Sequence, residues 1–250
     1  MLDQAQDLRR LATECRPTAA RSTGRPRLLA LTGGKGGVGT TTMAIRLAAT
    51  LTQAGRRTLL VDADPRGGDV ALRCGAEERH TLADLLAGRQ NWAEVIAAAS
   101  DGIQLVAGAR WLDDLADRSS AAERLIELLD DSSLGADVVV VDVGNDLGRA
   151  GQRICRAADA LVMVTTCETT AVVGAFAAIK RLVRFDRGYG GSDTAESVSS
   201  PYLMVNMART AWDARLVRHR LGWACRRLLG VEIIETDFAE KTKRCGFIGR

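Results

Sequence analysis

The segment Gly33-Gly34-Lys35-Gly36-Gly37-Val38-Gly39-Thr40-Thr41-Thr42 stands between the apolar run LLALT (28–32) and a stretch with Ala44, Leu47, Ala48 and Leu51 at helical spacing. A short apolar run bounded by glycines reads as a strand buried on both faces of a sheet, and the Ala/Leu spacing reads as a helix that Gly55 ends. The glycines therefore sit at a strand-to-helix junction. A phosphate bound there needs closely approaching backbone N–H groups, which glycine permits, and a helix N-terminus whose partial positive charge faces it. The segment supplies both. Gly34 to Gly39 fits the spacing G-x-x-x-x-G-K-(S/T), with Thr41 as the hydroxyl for Mg²⁺. Thr40 takes the lysine position. A plain tight turn would need neither this many glycines nor the lysine and three threonines among them.

The strand pattern recurs in TLLVD (58–62), GIQLVAG (102–108), ADVVVVD (136–142), ALVMVTT (160–166), PYLMVN (201–206) and VEII (231–234), with helical stretches between most of them. Helical faces are predicted at Val172/Phe176/Ile179/Val183 and at Ala214/Val217/Leu221/Ala224/Leu228. This alternation implies an α/β fold, a mostly parallel β-sheet flanked by helices on both faces. At 250 residues, one large domain with an appendage is expected. The appendage is DQAQDLRRLATE (3–14), where Ala5, Leu8 and Ala12 recur at helical spacing as a short amphipathic helix. The prolines and glycine of CRPTAARSTGRP (15–26) cannot continue it and read as a tether. The predicted organisation is a helix over 1–14, a linker over 15–26 and a nucleotide-binding domain over 27–250.

Composition excludes other classes. With 4% aromatic residues the chain lacks the makings of an aromatic recognition surface, and a net charge of +3 is too small to argue for nucleic acid or a membrane surface. The six cysteines form no CxxC pair and only two histidines accompany them, so a reduced, cytoplasmic protein without a cysteine metal site is expected. No run of 18 apolar residues and no secretory leader is visible.

Asp62 and Asp64 follow the second strand run, and Asp142 ends ADVVVVD. Carboxylates at the C-terminal ends of parallel strands lie on the ligand side of such a sheet. There they hold Mg²⁺ through water or orient an attacking water.

KGGVGTTT (35–42) resembles the deviant Walker A loop, KGGxGK(S/T)(S/T), of the MinD/ParA ATPases. The resemblance implies ATP and Mg²⁺ as ligands, with the backbone of Gly34, Lys35, Gly36, Gly37, Val38 and Gly39 and the threonines Thr40, Thr41 and Thr42 around the phosphates. It implies that Lys35 reaches the nucleotide of the opposite subunit in an ATP-dependent homodimer. Asp64 matches the water-positioning switch residue, Asp62 its neighbour in that switch, and Asp142 the Walker B acid. Asn206 matches an asparagine that hydrogen-bonds adenine, and Glu235-Thr236-Asp237-Phe238 is expected to close the base pocket. Losing the second lysine removes one charge-assisted contact worth about 1.5–3 kcal/mol, which weakens nucleotide binding without abolishing it and bears harder on hydrolysis.

Within that family the chain is similar to the flagellar-number regulators of the FlhG (FleN/YlxH) branch. The similarity lies in HTLADLLAG (80–88), Trp92 with Val95-Ile96, GIQLV (102–106), TTCETT (165–170) with AFAAIK (175–180), and DQAQDLRR (3–10). The last resembles the DQAxxLR activator helix, which binds the signal-recognition-type GTPase FlhF and stimulates its GTP hydrolysis. By resemblance Asp3, Gln4, Ala5, Leu8 and Arg9 contact that partner, Gln4 towards its catalytic centre, Leu8 as anchor and Arg9 beside partner acids. A neutral amide suits Gln4's part, since it donates and accepts without adding charge beside phosphates. CGFIGR (245–250) is too short for the membrane-targeting helix that such proteins often carry, so nucleotide-switched membrane binding is not expected. Two alternatives remain open: a pseudo-ATPase regulator disabled by Thr40, and a ParA-like partition or pole-localising ATPase. The second rests on Arg215, Arg218, Arg220, Arg226 and Arg227 along one predicted helix. A solvated helix face explains such a run more simply, and nucleic acid is not expected as a partner.

Overall fold

The structure, a computed structural model, describes residues 8–9, 25–66, 68–77, 79–108, 118–131, 134–145, 147–184 and 200–235. Eight strands form one sheet: β1 (Arg27–Gly33), β2 (Thr58–Asp62), β3 (Ile96–Ala98), β4 (Gln104–Val106), β5 (Val138–Asp142), β6 (Ala160–Thr165), β7 (Tyr202–Val205) and β8 (Ile234–Glu235). Their spatial order is β3-β4-β2-β5-β1-β6-β7-β8. Every pairing is parallel except the antiparallel edge pair β3–β4. The α/β expectation holds.

The central strands β1, β2, β5 and β6 are buried on both faces, as strands of a parallel sheet covered by helices on both sides are. Their side chains divide by period two between two cores. Leu28, Ala30, Leu59, Val61, Val139, Val141, Leu161 and Met163 belong to one cluster. Their neighbours Leu29, Leu31, Leu60, Val138, Val140, Val162 and Val164 belong to the other. The second cluster lies beneath α1 (Thr40–Gln53) and α2 (Val70–Cys74), through Met43, Ala44, Leu47, Leu51, Val70 and Cys74. The first is covered by α3 (Leu82–Leu86), α5 (Arg118–Leu129), α6 (Arg149–Ala157), α7 (Thr169–Arg184) and α8 (Ala211–Leu229), while α4 (Trp92–Val95) leads into β3. As the sequence indicated, α1 stops beside Gly55, whose φ of 79° suits glycine.

Several expectations shift. The short β3 escapes sequence reading because three residues carry no periodicity, and β8 begins at Ile234, later than VEII suggested. On α7 the most buried stripe is Ala171, Ala175, Ala178, Ile179 and Leu182, leaving Val172, Phe176 and Val183 partly buried on its flank. Small residues turn inward there because the helix backbone closes on the glycine loop. On α8, Leu228 is exposed, and Arg218 is buried rather than part of a solvated arginine stripe. No described helix is long and apolar enough to cross a membrane.

At the front of the chain, Leu8 and Arg9 are helical. Leu8 is 2% exposed and belongs to the cluster beneath α1, whereas Arg9 is exposed. The expected partner anchor is therefore seated in the chain's own core, and the reading of Leu8 as held ready on a free tether is corrected to that extent. Asp3, Gln4 and Ala5, most of the linker, residues 186–199 and 236–250 lie outside the described residues. If Leu8 contributes to that core, Leu8→Ala lowers the unfolding free energy by roughly 2–5 kcal/mol in chemical denaturation. An unchanged midpoint would contradict its burial.

Candidate functional site

The C-terminal ends of β1, β2, β5, β6 and β7 lie along one edge, and the candidate site is the set of residues that leave the sheet there. From the end of β1 the chain turns through Gly37 (φ 82°) and Gly39 (φ 88°), both in the left-handed region that favours glycine. It then enters α1, whose N-cap is Gly39; no side chain caps it and no acid occupies the first turn. The first N–H groups of α1 therefore have no side-chain acceptor, as an anion site requires. Beside Gly36 and Gly37 lies open space, so the loop's outer rim admits a close ligand. Thr41 and Thr42, in the first turn, are half-buried.

Two contacts hold the loop from behind. A Cβ on Gly34 would lie 2.0 Å from the backbone of Gly174, and one on Gly174 would lie 2.5 Å from the Gly34 carbonyl, so loop and helix α7 touch backbone to backbone. Asn206, 4% exposed at the end of β7, donates from Nδ2 to the Val38 carbonyl at 2.8 Å and accepts at Oδ1 from the Met207 N–H at 2.9 Å. It thus pins the loop to the end of β7. A cavity of about 730 Å³ opens beside this point, lined by Lys35, Gly37, Thr166, Cys167, Met207 and Asp213, among others. Of the segment expected to close a base pocket, only Glu235 is described, in β8.

Asp62 and Asp142 are register partners on the adjacent strands β2 and β5, and each is 1% exposed. Asp62 Oδ1 accepts the Asp64 N–H at 3.2 Å, and Asp142 Oδ1 accepts the Gly144 N–H at 3.1 Å. A contact with Thr41 partly offsets the effect of burial on the Asp142 carboxyl. Both Oδ2 atoms are buried without a partner. Burial above all, then the charge of Asp142, pushes the Asp62 pKa up to about 7, and burial raises Asp142 to about 6. Gly68 and Gly108 crowd Asp62 so closely that a Cβ on either would lie 1.9 or 2.5 Å from its carboxylate. Asp64, less buried, packs against Gly144.

Orphaned carboxylate oxygens beside a threonine hydroxyl and an uncapped helix N-terminus fit a phosphate-bound Mg²⁺, with Thr41, Asp62 and Asp142 as its protein side. Among the described residues no group of three or more His, Cys, Asp or Glu is placed to hold a metal ion.

Two residues behave in ways the sequence did not foretell. Lys35 turns back onto its own chain, with Nζ 2.8 Å from Glu168 Oε2 and 2.9 Å from Thr170 Oγ1, and holds the Glu168 carboxyl below its ordinary pKa. Both partners of this pair are well exposed, so solvent screens it and a phosphate can displace it. Thr40 is 1% exposed, its hydroxyl donating to Asn145 Oδ1 at 2.8 Å. Sequence reasoning missed Asn145, Gly174, Gly68 and Gly108. Only Asn145 left a signal, three residues after the Walker B match Asp142.

The raised carboxyl pKa values set the sign of a pH effect. A carboxyl whose folded pKa lies above its unfolded value stabilises fully below the unfolded value, and that contribution is lost as pH rises through the folded one. Without Mg²⁺ or nucleotide, stability should therefore fall between about pH 4 and about pH 7 on account of Asp62 and Asp142. Asp62→Asn should flatten part of that fall in denaturation midpoints; an identical pH profile would contradict the burial cost. Gly174→Ala should cost about 1–3 kcal/mol of stability by overpacking and weaken nucleotide binding by lifting the loop. Unchanged melting and binding would deny the backbone contact.

The comparisons agree with this geometry. A protein-family model described as an AAA domain matches residues 26–188. The chain is 31% identical over 207 residues to the antiactivator FleN of Pseudomonas aeruginosa, covering 82% of this chain and 70% of FleN. It is 30% identical over 159 residues to the flagellum site-determining protein YlxH of Helicobacter pylori, covering 63% of this chain but only 54% of YlxH. The septum site-determining protein MinD of Pyrococcus horikoshii, solved with Mg-ADP, shares the fold at a TM-score of 0.55 and 24% identity, over 64% of this chain and 66% of that one. With its loop, its strand-end carboxylates and its sheet, the chain belongs to the MinD/ParA-type P-loop ATPases, among the relatives of the flagellar regulators FleN and YlxH.

Proposed function

We propose that this chain is an ATP-operated switch that regulates the number, placement and assembly of flagella. The observation that carries the reading is the uncapped start of α1 facing two buried carboxylates with unpartnered oxygens. Backbone donors of 34–39 and the Thr41 and Thr42 side chains receive the phosphates, Asn206 reads the base, and Thr41, Asp62 and Asp142 hold Mg²⁺. Asp64 orients the attacking water for hydrolysis. Lys35 leaves Glu168 for the nucleotide of a second subunit. A dimer of this kind is supported by Val173, Met207 and Trp212, exposed apolar side chains close to the loop-bearing edge.

The leading segment Asp3-Gln4-Ala5-Gln6-Asp7-Leu8-Arg9 stimulates an FlhF-type GTPase in this reading, and the seat of Leu8 in the core means that the segment must leave its own domain to do so. The protein works in the cytoplasm and is recruited to the cell pole or flagellar base. A peptide of residues 1–14 should accelerate GTP hydrolysis by such a partner, and Gln4→Ala should abolish the effect. Full stimulation by the variant peptide would refute the role of Gln4.

A second reading is favoured by Thr40 itself, which is buried and hydrogen-bonded within the protein where relatives carry a lysine. On that reading the chain is a pseudo-ATPase that regulates by contact alone. Calorimetric titration with Mg·ATP separates the two. Micromolar binding supports the switch, and absent or millimolar binding supports the scaffold.

A further inference from the structure

We infer that Asn145 supplies to the nucleotide's phosphate tail the donor contact that Thr40 cannot. The inference rests on the proposal that the loop at 33–42 holds a nucleotide. Thr40 is 1% exposed and its hydroxyl proton is given to Asn145 Oδ1 at 2.8 Å, so the residue in the lysine position reaches no further than its neighbour. The bond fixes the carbonyl end of Asn145. Among the described residues, no protein acceptor is recorded for its Nδ2 donors.

Position and rigidity support the role. Asn145 follows by three residues Asp142, which ends β5. The turn carrying it is fastened to the loop, because the Gly144 carbonyl accepts the Gly33 N–H at 3.2 Å and the Thr32 hydroxyl at 2.9 Å. A Cβ on Gly33 would lie 2.4 Å from Asn145 Oδ1 and 2.7 Å from Thr40 Oγ1, so this glycine makes room for the pair at the base of the loop. The half-buried amide thus stands at the strand edge that carries the other phosphate-binding groups, with two neutral N–H donors to spare. An amide donating to an anionic phosphate makes a charge-assisted hydrogen bond. It supplies the contact without the lysine's charge.

The test is calorimetric titration of the full chain with Mg·ATP. Asn145→Ala should weaken binding by roughly 10- to 100-fold, and Asn145→Asp, which sets a carboxylate against the phosphates, should weaken it further. Thr40→Lys should rescue Asn145→Ala by more than it improves the wild type, since the two groups then perform one task. Melting temperatures taken without nucleotide identify any variant that has lost its fold, and Thr40→Val, which removes only the orienting bond, gives a second route to weaker binding. Equal or tighter binding by folded Asn145→Ala, or a Thr40→Lys gain independent of residue 145, overturns the inference and leaves the switch standing. A wild type that binds no Mg·ATP at millimolar concentration overturns the switch reading itself.

Discussion

The structure depends on a meeting of opposite electrostatic deficits at one edge of a parallel sheet. The start of α1 offers N–H groups with no side-chain acceptor, and Asp62 and Asp142 have been taken out of water with one oxygen each lacking a donor. Either feature alone is costly. An anion carrying a divalent cation relieves both together. Much of the surrounding architecture keeps the two deficits close without letting them be satisfied within the protein. Gly34 and Gly174 pack backbone on backbone, Asn206 ties Val38 to β7, and Gly68 and Gly108 leave only just enough room for the Asp62 carboxylate.

Against that background, the position where the P-loop spacing has lysine is held by Thr40. A lysine brings a mobile, strongly hydrated point charge. Thr40 and Asn145 bring a fixed pair of neutral groups, bonded to each other and seated on a turn tied to the loop. Lys35, the cation within the loop, is exposed and paired with Glu168 and Thr170. The cationic charge of the loop is thus kept on the rim, while the residue in the lysine position is neutral. At the front of the chain Leu8 is buried in the domain's own core, where no other surface can meet it.

Reading the sequence recovered the strands at 28–32, 58–62, 136–142, 160–166 and 201–206 because each is apolar without interruption, the mark of burial on both faces. It missed β3, whose three residues are set by antiparallel pairing with β4. It placed the α7 stripe to one side, since Ala171, Ala175 and Ala178 are chosen by what they approach and not by how hydrophobic they are. Asp62 and Asp142 end as register partners on adjacent strands. Leu8 was read as a helix residue facing a partner, and amphipathic spacing cannot say which apolar surface the helix will meet.

What the sequence determined by itself was local: a glycine loop between strand and helix, a hydroxyl at the metal spacing, and carboxylates at strand ends. These follow from residue type and short-range periodicity, which dictate backbone conformation and the side of the sheet that a residue leaves from. The tertiary structure alone decided which distant residues complete the site. Thr40 and Asn145 stand 105 positions apart, and Lys35 and Glu168 133. Only the strand order, with β1 between β5 and β6, brings such pairs together. That order is settled by packing and crossover across the whole sheet, and so leaves no trace in any one segment.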